Sequence, residues 1–328
     1  MEELKSPFAA RRISSEGRTV VLHAEDHWLK GIRDGSIDFF VKLSQRLARD
    51  GLTTRLVALG GSTSRSLLAQ DHVNIIVGKQ PAYAPNILHA LPAYIWGFWY
   101  LDEIGVNWNS SLRFARFCPD QIDGDKAGYF FNGVTGYMLR ENVSRISQEV
   151  RVNQPMQRAA AVIYCQELEH LQDRCHFLTT EDMIRSVAEA NRDDLIYVKM
   201  HPNQSKSEKR RIMAICSDYT NAKITDASVH DLTAVSRVVV TQNSAAGFEA
   251  LMQKKTVITC ARSDYWHATL TPRSKKDLAE AVTYGPEVMD GFDYEKYFYW
   301  FLDRNCLEPQ KDEFPARAMA RIRNKFFL

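Results

Sequence analysis

The stretch that most restricts the fold is Val238 to Cys260, VVVTQNSAAGFEALMQKKTVITC. Val238-Val239-Val240 is a β-branched run of the kind buried in parallel sheets. It stops at Thr241-Gln242-Asn243-Ser244, whose last residue suits a helix N-cap, and small Ala245, Ala246 and Gly247 follow. Helical spacing then holds from Gly247 to Gln253, with Phe248, Leu251 and Met252 at i, i+3 and i+4. Lys254-Lys255 suit a helix C-terminus, and Thr256 to Cys260 is a second strand. A strand, a tight small-residue turn, a helix and a strand form a βαβ unit. Small residues at such a turn admit an anionic ligand to backbone N–H groups at the positive end of the helix dipole. Glu249, expected in the first helical turn, could accept a ribose hydroxyl. Any βαβ unit needs a tight turn, however, so this motif alone leaves a purely structural role equally open.

The same alternation recurs along the chain. Strands are expected at 18–23, 54–59 and 73–77, with a helix over 37–47 that Gly51 closes. The polar residues Ala24 to Trp28 read as a turn at a strand's carboxyl edge, and they include Glu25 and Asp26. Gly60-Gly61-Ser62 lacks both the GxGxxG spacing and a P-loop lysine, so it is not read as a nucleotide loop. Pro81 to Ser111 is dense in aromatics and carries the acidic pair Asp102-Glu103. Most of those rings are expected in the core, although aromatic faces beside carboxylates also line sugar sites.

A helix is expected over 136–150 and a linker over 152–155. The pattern then restarts with strands at 159–164, 195–198 and 222–225. Helices are read over 180–190 (capped by Thr180), 207–217, 230–235 and 274–282. Repeated strand–helix alternation means a parallel, doubly wound sheet, here occurring twice. At 328 residues the chain has room for two such domains.

A second chemical constellation is Tyr197-Val198-Lys199-Met200-His201-Pro202. Lys199 and His201 share a side of a strand end, and Pro202 stops the strand. Together they offer an anion one fixed positive charge and one ring N–H donor.

Charge and cysteines remove other classes. The 42 basic and 40 acidic residues nearly cancel, which argues against a dedicated nucleic-acid binder. The six cysteines contain no CxxC pair, and with no signal peptide they read as reduced thiols of a cytoplasmic protein. Cys165, His170, Cys175 and His176 match no common zinc spacing, and no DxD-type pair stands at a strand end, so no obligatory metal or cofactor is expected. His267 follows a strand end and has equal claim to a structural or a donor-contacting role. No apolar run reaches the roughly 20 residues that cross a bilayer.

Val198 to Pro202 resembles the K-x-H-P motif of the bacterial capsule-polysaccharide synthesis proteins, which include Kdo transferases. Thr241 to Leu251 resembles the same family's serine-containing turn ahead of F-E-A-L, and both motifs recur more distantly in CMP-sugar-using sialyltransferases. Ala84-Pro85-Asn86-Ile87-Leu88 and Phe98-Trp99-Tyr100-Leu101-Asp102 resemble less-characterised relatives of that family. The resemblance covers roughly residues 75–110 and 160–265. It implies an α/β chain of two Rossmann-like doubly wound domains facing a central cleft (GT-B-like). Residues 1–153 would present the acceptor, 154–290 would hold the nucleotide sugar, and a helical segment, 291–328, would pack back across both.

By the same resemblance, Lys199 and His201 would contact the donor's phosphate or sugar carboxylate, with His201 also in a catalytic role. Gln242, Asn243, Ser244, Ala245 and Gly247 would hold phosphate, and Glu249 the ribose. The donor would be a nucleotide-activated sugar, CMP-Kdo or a related acidic sugar, and the acceptor a glycan or a lipid-linked one.

One departure bears on mechanism. Retaining Kdo transferases are expected to carry an aspartate nucleophile, followed by Gln, just past the first strand of the nucleotide half. Here that place reads Tyr164-Cys165-Gln166. Either a single displacement runs on a general base from the first half (Glu25, Asp26, Asp102 or Glu103), or Glu167 or Glu169 supplies the carboxylate. Three function classes follow: a transferase, a sugar-nucleotide epimerase or hydrolase on the same fold, and a non-catalytic nucleotide-binding partner in polysaccharide assembly. The basic amphipathic end, Ala316 to Leu328, is either a helix docked on the first domain or a contact with the inner membrane surface.

Overall fold

A computed structural model describes residues 1–10, 13, 19–79, 82–148, 151 and 156–326. Contacts divide the chain into two units, 1–115 with 302–328 and 116–301. This differs from the expected division at 153/154, chiefly because residues 116–148 fall with the second unit. The expected linker, 152–155, lies outside the described residues.

The first unit holds a five-stranded parallel sheet of β1 (Glu2–Glu3), β2 (Thr19–Ala24), β3 (Thr53–Ala58), β4 (Val73–Val77) and β5 (Ile87–His89), in the order β1-β3-β2-β4-β5. Its helices are α1 (Pro7–Ala10), α2 (Asp26–Asp34), α3 (Asp38–Arg49) and α4 (Ser62–Leu68). β2 is central and buried along its whole length, as expected of a strand with neighbours on both sides and helices over its faces. α3 buries Phe39, Phe40, Leu43 and Leu47, the apolar stripe legible in the sequence. The expected polar turn at 24–28 is corrected. Glu25 is the N-cap of α2, Asp26 opens that helix, and Gly35 ends it at φ 71°. The helix buries only Leu29 and Ile32, too thin a stripe to stand out by periodicity.

One polar network ties this sheet to α4. His23 is fully buried, with Nε2 2.9 Å from Asn74 Oδ1 and Nδ1 2.9 Å from Ser64 Oγ. The amide oxygen can only accept, so Nε2 carries the proton and Nδ1 accepts from the serine. Burial lowers the His23 pKa to about 4. Above pH 6.5 the ring is neutral in both folded and unfolded chains. As pH falls from 6.5 toward 4, only the unfolded chain takes up the proton, so stability is lost with acidification. The full loss is about 3 kcal/mol. Urea unfolding at pH 7.5 and 5 should show that slope, and His23→Gln should flatten it.

The second unit repeats the architecture. Its parallel strands are β6 (Ala159–Tyr164), β7 (Ile196–Lys199), β8 (Ala222–Ile224), β9 (Ser236–Thr241) and β10 (Thr256–Thr259), in the order β10-β9-β6-β7-β8. The helices are α5 (Gly124–Arg140), α6 (Thr180–Ala190), α7 (Lys206–Ser217), α8 (Val229–Val235), α9 (Ala245–Ala250), α10 (Lys275–Val288) and α11 (Tyr294–Phe298). Strands β6, β7, β9 and β10 interleave with α6, α7 and α10 in one apolar core. The helix expected over 136–150 is instead α5. It buries Ala127, Phe131, Thr135 and Met138, but glycines at 124, 128, 133 and 136 masked its periodicity. Residues 149 and 150 of that expectation lie outside the described set. Thr179, not Thr180, caps α6, in a reciprocal capping box with Asp182.

Past a π-helical turn at Tyr299–Arg304 the chain rejoins the first unit, where α12 (Phe314–Phe326) packs on α3, with Phe314 5.2 Å from the Phe39 ring. The terminal helix is thus docked on the first unit. Arg317 donates to the carbonyl of Cys306, Arg321 to those of Leu101 and Asn305, and Arg323 pairs with Asp50. Residues 327 and 328 lie outside the described residues. Among the described residues no helix is long and apolar enough to cross a membrane.

Candidate functional site

In an open parallel sheet, ligands bind beyond the carboxyl ends of the strands, where the strand order reverses. In the second sheet that point lies between β6 and β9, because the chain builds from β6 outward through β7 and β8 before crossing to β9. The last residue of β6, Tyr164, is in register with Lys199 of β7 on one side and Thr241 of β9 on the other. Lys199 and Thr241 are therefore level, two strand spacings or about 10 Å apart. Lys199 and the Ser244 turn, 45 residues apart in sequence, thus stand at the same edge of the sheet on either side of β6.

Lys199 and His201 are both half-buried. Lys199 Nζ donates to the Asp226 carbonyl at 2.8 Å. His201 Nδ1 accepts from the Asn203 N–H at 3.1 Å, and its own backbone N–H donates to Gln204 Oε1 at 2.8 Å. A ring nitrogen that accepts carries no proton, so the His201 donor is Nε2.

Ser244 is the N-cap of α9, its hydroxyl accepting from the Ala246 N–H at 3.2 Å. Its carbonyl accepts from the Tyr265 hydroxyl at 2.8 Å. Asn243 is held on both sides. Gln166 Oε1 accepts from its backbone N–H at 2.8 Å, and its own amide donates to the Arg262 carbonyl at 2.9 Å. Gln242 is fully buried and donates to the Leu178 carbonyl. Side chains of Gln242 and Asn243 thus shape the turn, leaving Ser244 and the following backbone facing the helix start.

Gly247 is explained by packing. A Cβ there would lie 2.8 Å from Thr241 Cγ2 and 2.8 Å from the Tyr265 hydroxyl. Glu249 departs further from expectation. α9 begins at Ala245, so Glu249 falls in its second turn, not the first, and is only 1% exposed. Its Oε1 accepts from Ser144 Oγ at 2.8 Å and from the Arg145 N–H at 3.0 Å, whereas Oε2 is buried without a partner. Burial outweighs those two donors and lifts its pKa to about 7.

The place just past β6 is now interpretable. Cys165 is buried in the core, and desolvation pushes its thiol far above its usual range, so a thiolate nucleophile is excluded there. Glu167 accepts from both the backbone N–H and the hydroxyl of Ser205, the N-cap of α7. Those bonds lower its pKa. Glu169 accepts from the Thr180 N–H at the start of α6 and pairs with Arg211 at 3.0 Å. Both carboxylates sit on helix N-termini, where the dipole favours negative charge. They answer structural needs that sequence spacing did not reveal.

In the first unit, Glu25 stands at the corresponding reversal, between β2 and β4. Its N–H donates to the Val77 carbonyl, and its Oε1 accepts from the Lys79 N–H at 3.1 Å. A Cβ on Gly78 would lie 2.7 Å from that carboxylate oxygen, so the glycine makes room for it. Asp26 is exposed on the first turn of α2. Glu103 is exposed and 3.9 Å from Lys325. Asp102 is different. It is 8% exposed and accepts from the N–H groups of Ile104, Gly105 and Ser111, and from the Ser111 hydroxyl at 2.7 Å. A carboxylate so engaged organises its loop and is poorly placed to take a substrate proton. His267 stacks on Trp266 with ring centroids 4.2 Å apart and lies 5.0 Å from Trp300, inside an aromatic cluster. Among the described residues no group of three or more His, Cys, Asp or Glu side chains could hold a metal ion.

Residues 132–284 match the family model described as capsule polysaccharide biosynthesis protein. The match spans both motifs and bears out the resemblance they carry. No curated protein matches the chain. Among solved structures, the KpsC beta Kdo 2,4 transferase of Thermosulfurimonas dismutans is 16% identical, over 81% of this chain and 90% of its own, with a TM-score of 0.50. The KpsC beta Kdo 2,7 transferase of the same organism is also 16% identical, over 80% of this chain and 89% of that one, with a TM-score of 0.49. The UDP-GlcNAc 2-epimerase of Methanocaldococcus jannaschii, in complex with UDP-GlcNAc and UDP, is 11% identical, over 93% and 99%, with a TM-score of 0.39. At 16% identity the likeness to the 2,4 transferase is one of fold.

Proposed function

We propose that the chain is a glycosyltransferase of surface-polysaccharide assembly that takes a nucleotide-activated sugar, with a CMP-linked acidic sugar such as CMP-Kdo as its donor. The observation that supports this reading is that Lys199 and the Ser244 turn stand beyond the carboxyl ends of β7 and β9, on either side of β6 in one sheet. Lys199 supplies charge, His201 Nε2–H a neutral donor, and the Ser244 turn backbone N–H groups for phosphate. The match of residues 132–284 to a capsule polysaccharide family model supports the pathway. With Cys165 sealed and Glu167 and Glu169 on helix caps, a single displacement needs a general base. Glu25 and Asp26, at the first sheet's reversal point, are the candidate bases. The acceptor is a glycan or a lipid-linked glycan, no metal is required, and the protein works in the cytoplasm, at the inner membrane surface when the acceptor is lipid-linked.

A thermal-shift screen of CMP, UDP, GDP and NAD tests the donor class, since a ligand that binds only the folded state raises the melting temperature. CMP should give the largest shift, and His201→Ala should weaken CMP binding roughly 5–30-fold without unfolding the protein. An unchanged affinity, or stabilisation by NAD alone, would overturn the assignment. The non-catalytic reading draws on one observation, the buried thiol where a retaining enzyme carries a carboxylate. Turnover with donor and acceptor present decides against it.

A further inference from the structure

Beyond the carboxyl end of β10 the chain runs through segment 260–268, which is stitched to the neighbouring turn at 241–244. Thr259 of β10 is level with Thr241 of β9. From there the Cys260 N–H donates to the Thr241 carbonyl at 2.7 Å, the Asn243 amide to the Arg262 carbonyl at 2.9 Å, and the Tyr265 hydroxyl to the Ser244 carbonyl at 2.8 Å. Tyr265 is fully buried, which fixes where the next turn begins. That turn is a 3-10 helix over Trp266–Ala268, closed by the Ala268 N–H on the Tyr265 carbonyl at 3.2 Å. Its first side chain, Trp266, is 47% exposed. The indole stacks on the His267 ring with centroids 4.2 Å and planes 23° apart, and Trp300 backs His267 edge-on at 5.0 Å.

An indole is a large apolar surface that folding ordinarily covers. Here nearly half of one stays in water, yet it is held flat by a stacked ring rather than trailing in solvent. Such a fixed, half-open aromatic plane suits a second flat ring. A stacked base gains dispersion and apolar contact, and little ordering is left for a side chain already held in place. We propose that the Trp266–His267 stack is the platform for the nucleobase of the donor nucleotide. The proposal rests on reading the Ser244 turn as the donor's phosphate site, to which Tyr265 ties the platform directly. Trp266 follows Tyr265, so its backbone lies about one tyrosine side chain from the Ser244 carbonyl, a span comparable to the ribose between a phosphate and its base. Every base offers a π-face, so the platform adds affinity for nucleotides as a class and does not by itself choose among bases.

The test is titration calorimetry of the full chain and of Trp266→Leu and Trp266→Phe with CMP and UDP, with the melting temperature of each unliganded variant read beside it. Trp266→Leu keeps apolar bulk over His267 but loses the aromatic plane, whereas Trp266→Phe keeps a ring. The leucine variant should bind CMP and UDP about 5–100-fold more weakly than the parent, the range for loss of one base–aromatic stack. The phenylalanine variant should stay within about threefold of the parent. Parental affinity in Trp266→Leu, or a loss in Trp266→Phe as large as in Trp266→Leu, overturns the platform while leaving the donor site standing. If the parent binds neither CMP nor UDP, the donor reading falls and the platform falls with it.

Discussion

Glu25→Gln is expected to reduce sugar transfer about 10²–10⁴-fold while leaving nucleotide affinity within a factor of two of the parent, the range typical for loss of a general base. Glu25 lies beyond β2 at the reversal of the first sheet, where open α/β sheets place ligands. One of its oxygens is oriented by the Lys79 N–H, and its side chain is about one-third exposed. An amide keeps the shape but cannot take a proton. Asp26→Asn is the companion variant, since Asp26 follows directly on the α2 start. The measurement is initial transfer rate against donor and acceptor, with calorimetry of donor binding beside it. Should both amide variants, and Glu103→Gln, retain near-parental turnover while Glu167→Gln or Glu169→Gln abolishes it, the single-displacement reading is wrong. A carboxylate of the second unit would then carry the reaction.

Asp102→Ala is expected to act on folding. Its carboxylate accepts three backbone N–H bonds and one hydroxyl bond across residues 104–111, from a position 8% exposed. Removing it strands several donors, each costing about 1–3 kcal/mol when buried, with partial relief from water. A loss of about 3–5 kcal/mol is expected, of the order of half the stability of an ordinary domain. Urea midpoints read this directly. Asp102→Asn, which keeps acceptor capacity at one oxygen, should recover part of it. A variant of parental stability but no transfer activity would return Asp102 to the candidate bases. The contrast with Glu25 is thus experimentally clean, one variant failing in turnover and the other in folding.

Much was legible along the chain because it depends on local chemistry. Short, largely apolar runs placed β4 and β6 to the residue, because strands buried on both faces carry apolar side chains on both. Ser244 announced its own cap, and the parallel architecture followed from strand–helix alternation alone. What the sequence could not decide was which polar groups the fold consumes. Glu167, Glu169 and Asp102 look as free in sequence as Glu25 does, yet three-dimensional neighbours at 178–211 and 104–111 turn them into helix caps and a loop anchor. Gly247 reads as room for a ligand and is room for Tyr265. Glu249 reads as a ribose acceptor, and only tertiary structure brings residues 144 and 145, more than 100 positions earlier, onto its carboxylate. The physical reason is common to all these cases. Intrinsic preference decides where a backbone turns or extends, but a polar side chain is committed by whichever unsatisfied donor the fold brings within about 3 Å of it.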